Sequence, residues 1–402
     1  LPDEPIFRRV INVNFRLGSG KGAKRLLLMG ANPSLPLAYR VASLRALSVW
    51  PNPPSIDPTL GKYRPLDTRD SSVGLSAIQV DLRDLLASTK ETEIAHQALR
   101  VAEAFGMPVE FSKLRRFLLD RHQGVETRRQ ALQMIEEKPP RGFDADLQRL
   151  YLDQSAPMRV AAAETTVRLF PQDTTLMVRL LLRGGSTGEL RGAYKILAES
   201  KEEDGIAILA EQLEALAAGT VPAATRLDLL EVANQRTEPA IAERVAKVTA
   251  QLATKPIGQL AFSHDGGDSD RGERLFANQG TCKKCHRVEG DDSEDAGPTL
   301  EGIATRLNSD QLLHSLVFPS EEVVDGYGIA SITKKDGTIV AGTPIKETDT
   351  TVVIKTPDSD PVTVAKADIQ VRTPAISPMP PMGLALPAKD IRDLMAYLKT
   401  LK

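Results

Sequence analysis

The residues best suited to chemistry in this chain sit in one pentapeptide, Cys282-Lys283-Lys284-Cys285-His286. It holds both cysteines of the 402-residue sequence. A disulfide between residues three positions apart closes too small a loop to stabilise a fold, so the spacing points to chemistry. Cys-x-x-Cys-His is the attachment pattern of c-type haem. Two thiols one short turn apart can reach two vinyl groups of one porphyrin, and the adjacent imidazole can then ligate the iron from the proximal side. Other uses of such a pair fit less well. A structural zinc needs four ligands, and only His286 and His314 lie in the region, with no second cysteine pair. A thioredoxin-like redox pair wants a strand before the motif, whereas residues 271–278 read as helix. The pentapeptide therefore predicts one covalent haem c, ligated by His286.

Three flanking segments extend the pattern. Asp270-Arg271-Gly272-Glu273-Arg274-Leu275-Phe276 precedes the motif, Gly297-Pro298-Thr299-Leu300 follows it, and Pro378-Met379-Pro380-Pro381-Met382-Gly383 lies near the C-terminus. Together they resemble class I cytochromes c. The resemblance implies that the first segment is a helix running into the haem motif. It implies that the Pro298 carbonyl accepts a hydrogen bond from the proximal histidine and fixes its tautomer. It also implies Met379 as the sixth iron ligand, with Met382 as its rival and His314 or an open site as the remaining options. A sulfur ligand raises the potential and suits electron transfer, whereas an open sixth site would suit a peroxidase or a gas sensor. Lys283 and Lys284 either steer an acidic redox partner or are simply solvated.

His286 and Met379 are 93 residues apart, longer than in a small cytochrome c. Short β-branched runs at 329–333, 338–343, 351–355 and 362–364, with an Asp336-Gly337 turn, predict an antiparallel sheet of four or five strands inserted over 327–373. That layout, together with Leu316-Val317-Phe318-Pro319-Ser320 and Asp325-Gly326-Tyr327, resembles the haem-binding domain of planctomycete and verrucomicrobial (Pirellula/Verrucomicrobium-type) membrane-bound dehydrogenase-like proteins. The resemblance covers 270–402. It implies helical repeats ahead of the haem domain and, ahead of those, a dehydrogenase-like propeller that this sequence does not contain. A fragment of a longer protein, or a shorter relative, is the expectation.

The rest of the chain must position this site. Residues 1–255 carry apolar residues at helical spacing, broken every 12 to 18 residues by Gly, Pro, Ser or Asp. Arg40, Arg128, Arg159, Arg191 and Arg226 each open a helix, the last four at intervals of 31, 32 and 35 residues, and His96 falls about one further period upstream. A repeat of that length predicts stacked helix pairs resembling a HEAT-like α-solenoid. The expected fold is thus mainly α: solenoid at 1–255, a polar, glycine-rich linker at 256–270, and an α-helical cytochrome domain at 271–402.

With 41% hydrophobic residues, 4% aromatics and a formal net charge of −2, the composition is that of a globular helical protein and makes no case for nucleic-acid binding. No apolar run is long enough to cross a membrane; peripheral membrane association is compatible with the resemblance. No acid–base or phosphate-loop constellation stands out, so the chain is not expected to turn over an organic substrate by itself. The expected role is electron transfer between a fused or separate dehydrogenase and another redox protein. An interaction scaffold with an accessory haem is the other reading. Haem attachment places the expectation in the bacterial periplasm.

Overall fold

Leucine and alanine at three- and four-residue spacing fold into helices throughout the first half of the chain, since each such stripe can be buried only against another helix. The computed structural model describes residues 4–57, 59–255, 257–288, 297–356 and 360–402. The protein is mainly helical, with one small antiparallel sheet of five strands near the C-terminus. Two compact units are present, Leu1–Gly192 and Ala193–Lys402.

The first unit holds α1 (Glu4–Arg16), α2 (Gly20–Ala31), α3 (Leu37–Ser48), α4 (Ser71–Ser88), α5 (Thr92–Ala104), α6 (Phe111–Leu119), α7 (Val125–Glu136), α8 (Asp144–Tyr151), α9 (Ala156–Leu169) and α10 (Thr174–Gly184), and the start of α11 (Thr187–Glu199). Helices α3, α5, α7 and α9 pack in series, while α4, α6 and α8 each pack on the helix that follows them. Leu44, Ile78, Leu99, Leu118 and Ala162 are wholly buried between these layers.

The repeated arginines bind the stack together. Arg40 donates to Gly30 O at 3.1 Å and to both Glu91 carboxylate oxygens at 2.8 Å. Arg128 donates to Leu118 O at 2.9 Å and to Asp153 at 2.6 and 3.2 Å. Arg159 donates to Asp153 O at 2.6 Å and to Glu189 at 2.7 Å. Each guanidinium thus satisfies a carbonyl behind it and a carboxylate ahead of it, which a planar five-donor fork does well. At the α5–α7 seam hydroxyls take this part: Thr92 Oγ1 accepts from Gly124 N at 2.6 Å, and Thr127 Oγ1 donates to Thr92 O at 3.0 Å.

The second unit holds α12 (Glu203–Ala217), α13 (Arg226–Asn234), α14 (Pro239–Ala253), α15 (Ser269–Ala277), α16 (Ile303–Arg306), α17 (Ser309–Val317), β1 (Ala330–Lys334), β2 (Ile339–Glu347), β3 (Thr351–Lys355), β4 (Val362–Ala365), β5 (Ile369–Arg372), α18 (Met382–Ala385) and α19 (Ala388–Leu398). Helices α12–α14, expected with the solenoid, therefore belong to the same unit as the C-terminal elements.

Residues 257–270, expected as part of a polar, glycine-rich linker, are packed against the second unit's helices. Gly266 lies against Ala224 and Gly267 against Arg392 so closely that an added Cβ would sit 2.8 and 2.7 Å from their carbonyl carbons. Ser263 Oγ donates to Ala388 O at 3.0 Å, and Asp268 N donates to Asp393 Oδ1 at 2.8 Å. Gly266 and Gly267 serve close packing rather than freedom. Arg392, buried, closes the same region by donating to Asp228 on α13 at 2.7 Å.

The strands pair in the order β4-β3-β2-β1-β5, all antiparallel. In this register Ile332 faces Val340 and Val352 faces Val364; with Ile354 they form the sheet's own core. Beyond the ends of β1 and β5, Ile329 and Ile376 exchange backbone hydrogen bonds of 2.8 and 3.0 Å. The whole insertion is thus pinched shut at its base.

Candidate functional site

The five residues singled out for haem binding line one cavity. Cys282, Cys285, His286, Pro298 and Met379 all stand on its wall, with Met382 beside them. Its empty space is about 1360 Å³, the open mouth included, and most of the side chains around it are apolar. A concave, mainly apolar site with a few convergent polar groups is what a cofactor requires.

The approach to the motif is built by α15 and a tight turn. Asp268 caps α15 by accepting from Arg271 N at 3.0 Å. Leu275 and Phe276 bury against Leu394 of α19, and Arg271 pairs with Asp390 and Asp393 on the same helix. Gly272 is buried where the two helices cross, close to the Asp393 backbone. After α15 the chain turns through Thr281, whose φ of 52° makes it the one non-glycine residue in left-handed space among the described residues. Such a conformation is strained for a β-branched residue and marks a backbone held for a purpose. A single 3-10 turn, Cys282–Lys284, follows, and His286 N donates to Cys282 O at 2.8 Å. Cys282, Cys285 and His286, carried by this turn, all line the cavity.

The geometry at His286 is specific. Its Nδ1 lies 2.8 Å from Pro298 O. A carbonyl can only accept, so Nδ1 carries a proton, and in the neutral ring the lone pair is on Nε2. Gly297 permits this approach: a Cβ there would sit 3.0 Å from His286 Cε1 and 3.1 Å from Nδ1. The imidazole is thereby oriented from behind, as metal-ligating histidines are.

The cysteines are not joined to each other. Burial pushes the Cys282 thiol up to about 11, the reverse of the lowered value that a thiol–disulfide exchange centre needs. Among the described residues no group of three or more His, Cys, Asp or Glu side chains gathers as a metal cage would. The donor set fits a c-type haem instead: two sulfurs for thioethers, one oriented imidazole, thioether sulfurs on the wall and an apolar enclosure.

The two methionines differ in setting. Met379 is half-buried in a loop, whereas Met382 is 4% exposed, begins α18 and packs in the core with Leu312, Leu316, Ile391 and Leu398. His314 does not line the cavity; its ring packs tilted against Phe318, and its Nε2 lies 3.0 Å from Glu321. Sequence reasoning missed two serines. Ser377 N donates to Ser320 Oγ at 3.1 Å, and Met379 N donates to Ser377 Oγ at 3.1 Å. Their separation of 57 residues left no local signal to read.

Among the described residues no helix is long and apolar enough to cross a membrane. In comparison with known proteins, no protein-family model matches the chain and no curated protein is significantly similar to it.

Proposed function

We propose that the second unit carries electrons through one covalently bound haem c, as the relay of a periplasmic dehydrogenase system. In this reading Cys282 and Cys285 would hold the haem, and His286 and Met379 would ligate its iron. The helical first unit, with its HEAT-like order, is the scaffold. One observation carries the reading: the His286 Nδ1–Pro298 O hydrogen bond of 2.8 Å, on the wall of the same cavity that both cysteines and Met379 line. When bound, the haem iron supplies the one-electron chemistry. The chain's own residues bind, orient and enclose it. Leu300, Ile303, Leu312 and Leu316 exclude water from the cavity wall, and Pro298 holds the imidazole in the tautomer that leaves Nε2 free.

The cavity favours this relay over an open-site peroxidase or sensor because two thioether side chains share its wall. The test is maturation of the chain in a periplasm competent for cytochrome c assembly. The expected product keeps haem through denaturing electrophoresis, and Cys282→Ala and Cys285→Ala each break one covalent link. Carbon monoxide should bind slowly to the reduced protein. A product without covalent haem under those conditions overturns the proposal, and rapid tight carbon monoxide binding would move it to the open-site reading.

A further inference from the structure

We propose that Ser377 and Ser320 are positioning residues that hold Met379 in place as the iron ligand, and that the five-stranded sheet exists to keep them there. This rests on the haem reading above and assigns a role to residues that reading does not use. The loop from Ile376 to Pro381 contains three prolines, at 378, 380 and 381, none of which can donate a backbone hydrogen bond. That leaves few ways to anchor it. Besides the Ile376 N–Ile329 O bond, the structure uses two: Ser377 N donates to Ser320 Oγ at 3.1 Å, and Met379 N donates to Ser377 Oγ at 3.1 Å. The chain therefore runs Ser320 to Ser377 to Met379, each link one hydrogen bond long.

The sheet supplies the fixed end. Ile376 is tied to Ile329 by paired backbone bonds of 2.8 and 3.0 Å, and β1 and β5 run antiparallel from that point. Gly328 packs so tightly that a Cβ would sit 2.8 Å from both Ala375 and Val323. Val323, Val324 and Tyr327, just before β1, form part of the cavity wall with Pro378 and Pro380. The sheet's own core is separate from the residues around the cavity. An insertion built this way has one mechanical consequence at the site: it closes the base of the methionine loop. Met382, 4% exposed, sits inside the core with Leu312 and Leu316, whereas Met379 packs only against its edge.

The experiment uses the full haem-loaded chain. Ser377→Ala and Ser320→Ala each remove one acceptor from this relay. Three properties are read: the far-red absorption band of sulfur-ligated ferric haem, the carbon monoxide association rate of the reduced protein, and the thermal midpoint. Losing one hydrogen bond should raise the fraction of methionine-free iron, and hence the association rate, by about 2- to 10-fold. Ser377→Thr, which keeps the hydroxyl, should restore the band and the rate. A general loss of stability would lower the midpoint in the Thr variant as well, without that selective rescue. Wild-type ligand exchange in both Ala variants, with haem still attached, would overturn the inference while leaving the haem reading intact. Opening of the site by Met382→Ala but not by Met379→Ala would also overturn it. Absence of attached haem in the wild-type chain would instead sink the underlying reading.

Discussion

Replacing Gly272 by alanine sets two known effects against each other, and the structure says which wins. Gly272 lies inside α15, where alanine favours the helix by about 1 kcal/mol. On propensity alone the variant would be more stable. At this position, however, a Cβ would sit 2.7 Å from the Asp393 carbonyl carbon and 2.8 Å from Tyr397 Cβ, with the Asp393 oxygen closer still. Carbon atoms pack best at about 3.5 to 4.0 Å, so the helices must part by roughly 1 Å. The near atoms belong mostly to the α19 backbone, which cannot rotate out of the way. Separation on that scale forfeits contacts of Leu275, Phe276, Leu394 and Tyr397 and strains the Arg271 pairs with Asp390 and Asp393. Overpacking of this kind costs about 3 kcal/mol. The net effect is a loss of about 2 kcal/mol, or about 4–8 °C in Tm for a unit of this size. Glu273→Ala, one residue on and exposed, is the matched control and should stay within about 0.5 kcal/mol. Differential scanning calorimetry of the full chain measures both. A Gly272→Ala protein as stable as wild type would refute the close-packing argument for the α15–α19 crossing.

Further outcomes follow from the site and the helical stack. Met379→Ala should speed carbon monoxide binding to the reduced protein at least tenfold, whereas Met382→Ala should chiefly lower thermal stability, because Met382 is buried in the core; stopped-flow absorption separates the two. Asp153→Asn leaves the buried Arg128 guanidinium without its countercharge and should cost about 3–5 kcal/mol, read from urea unfolding, where a change under about 1 kcal/mol would show that the pair is not holding the stack. His96 is held below the ordinary imidazole value by burial and by the nearby charge of Arg100. The unfolded chain then binds that proton more readily, so stability falls as pH drops through the unfolded value near about 6.5. His96→Gln should flatten that part of the urea midpoint–pH curve, and an unchanged slope would exclude His96 as its source.

Much of the architecture was legible because it follows from periodicity. Four of the strands fall within a residue or so of their β-branched runs except at the C-terminal end of β2, which extends to Glu347. The fifth, β5, was anticipated only as a count, since Ile369–Arg372 is short, largely exposed and mixed in character. The repeated arginines were visible as spacing, but their partners were not, because Glu91, Asp153 and Glu189 lie 25 to 51 residues away. The stretch at 256–270 misled for a physical reason. A run of Gly, Ser and Asp has the same composition whether it is a solvated tether or a strap pressed against Ala224 and Arg392, and only the tertiary contacts distinguish the two. At the site, Cys282, Cys285, His286 and Pro298 line one cavity; Pro298 entered through the resemblance, since nothing in the spacing alone pairs it with His286. The support behind Met379 could not be read, since Ser320 and Ser377 are common residues with no pattern between them.

The arginine ladder also bears on how the helical stack comes apart. Because Arg128 and Arg159 each hold a carbonyl behind and a carboxylate ahead, a repeat that opens strands polar groups on its neighbours as well as on itself. Melting of α7 or α9 is therefore expected to draw in the helices next to them instead of staying within one helix pair. Asp153 and Glu189 are held below the usual carboxylate range, Glu189 chiefly by its hydrogen bond from Arg159, and Asp153 by Arg128 and the Ser155 N–H against the opposing effect of burial. Acid that protonates them uncouples the later repeats. The Thr92–Thr127 hydrogen bonds between α5 and α7 involve no carboxylate, so acid should act first on the arginine–carboxylate pairs of α7 and α9.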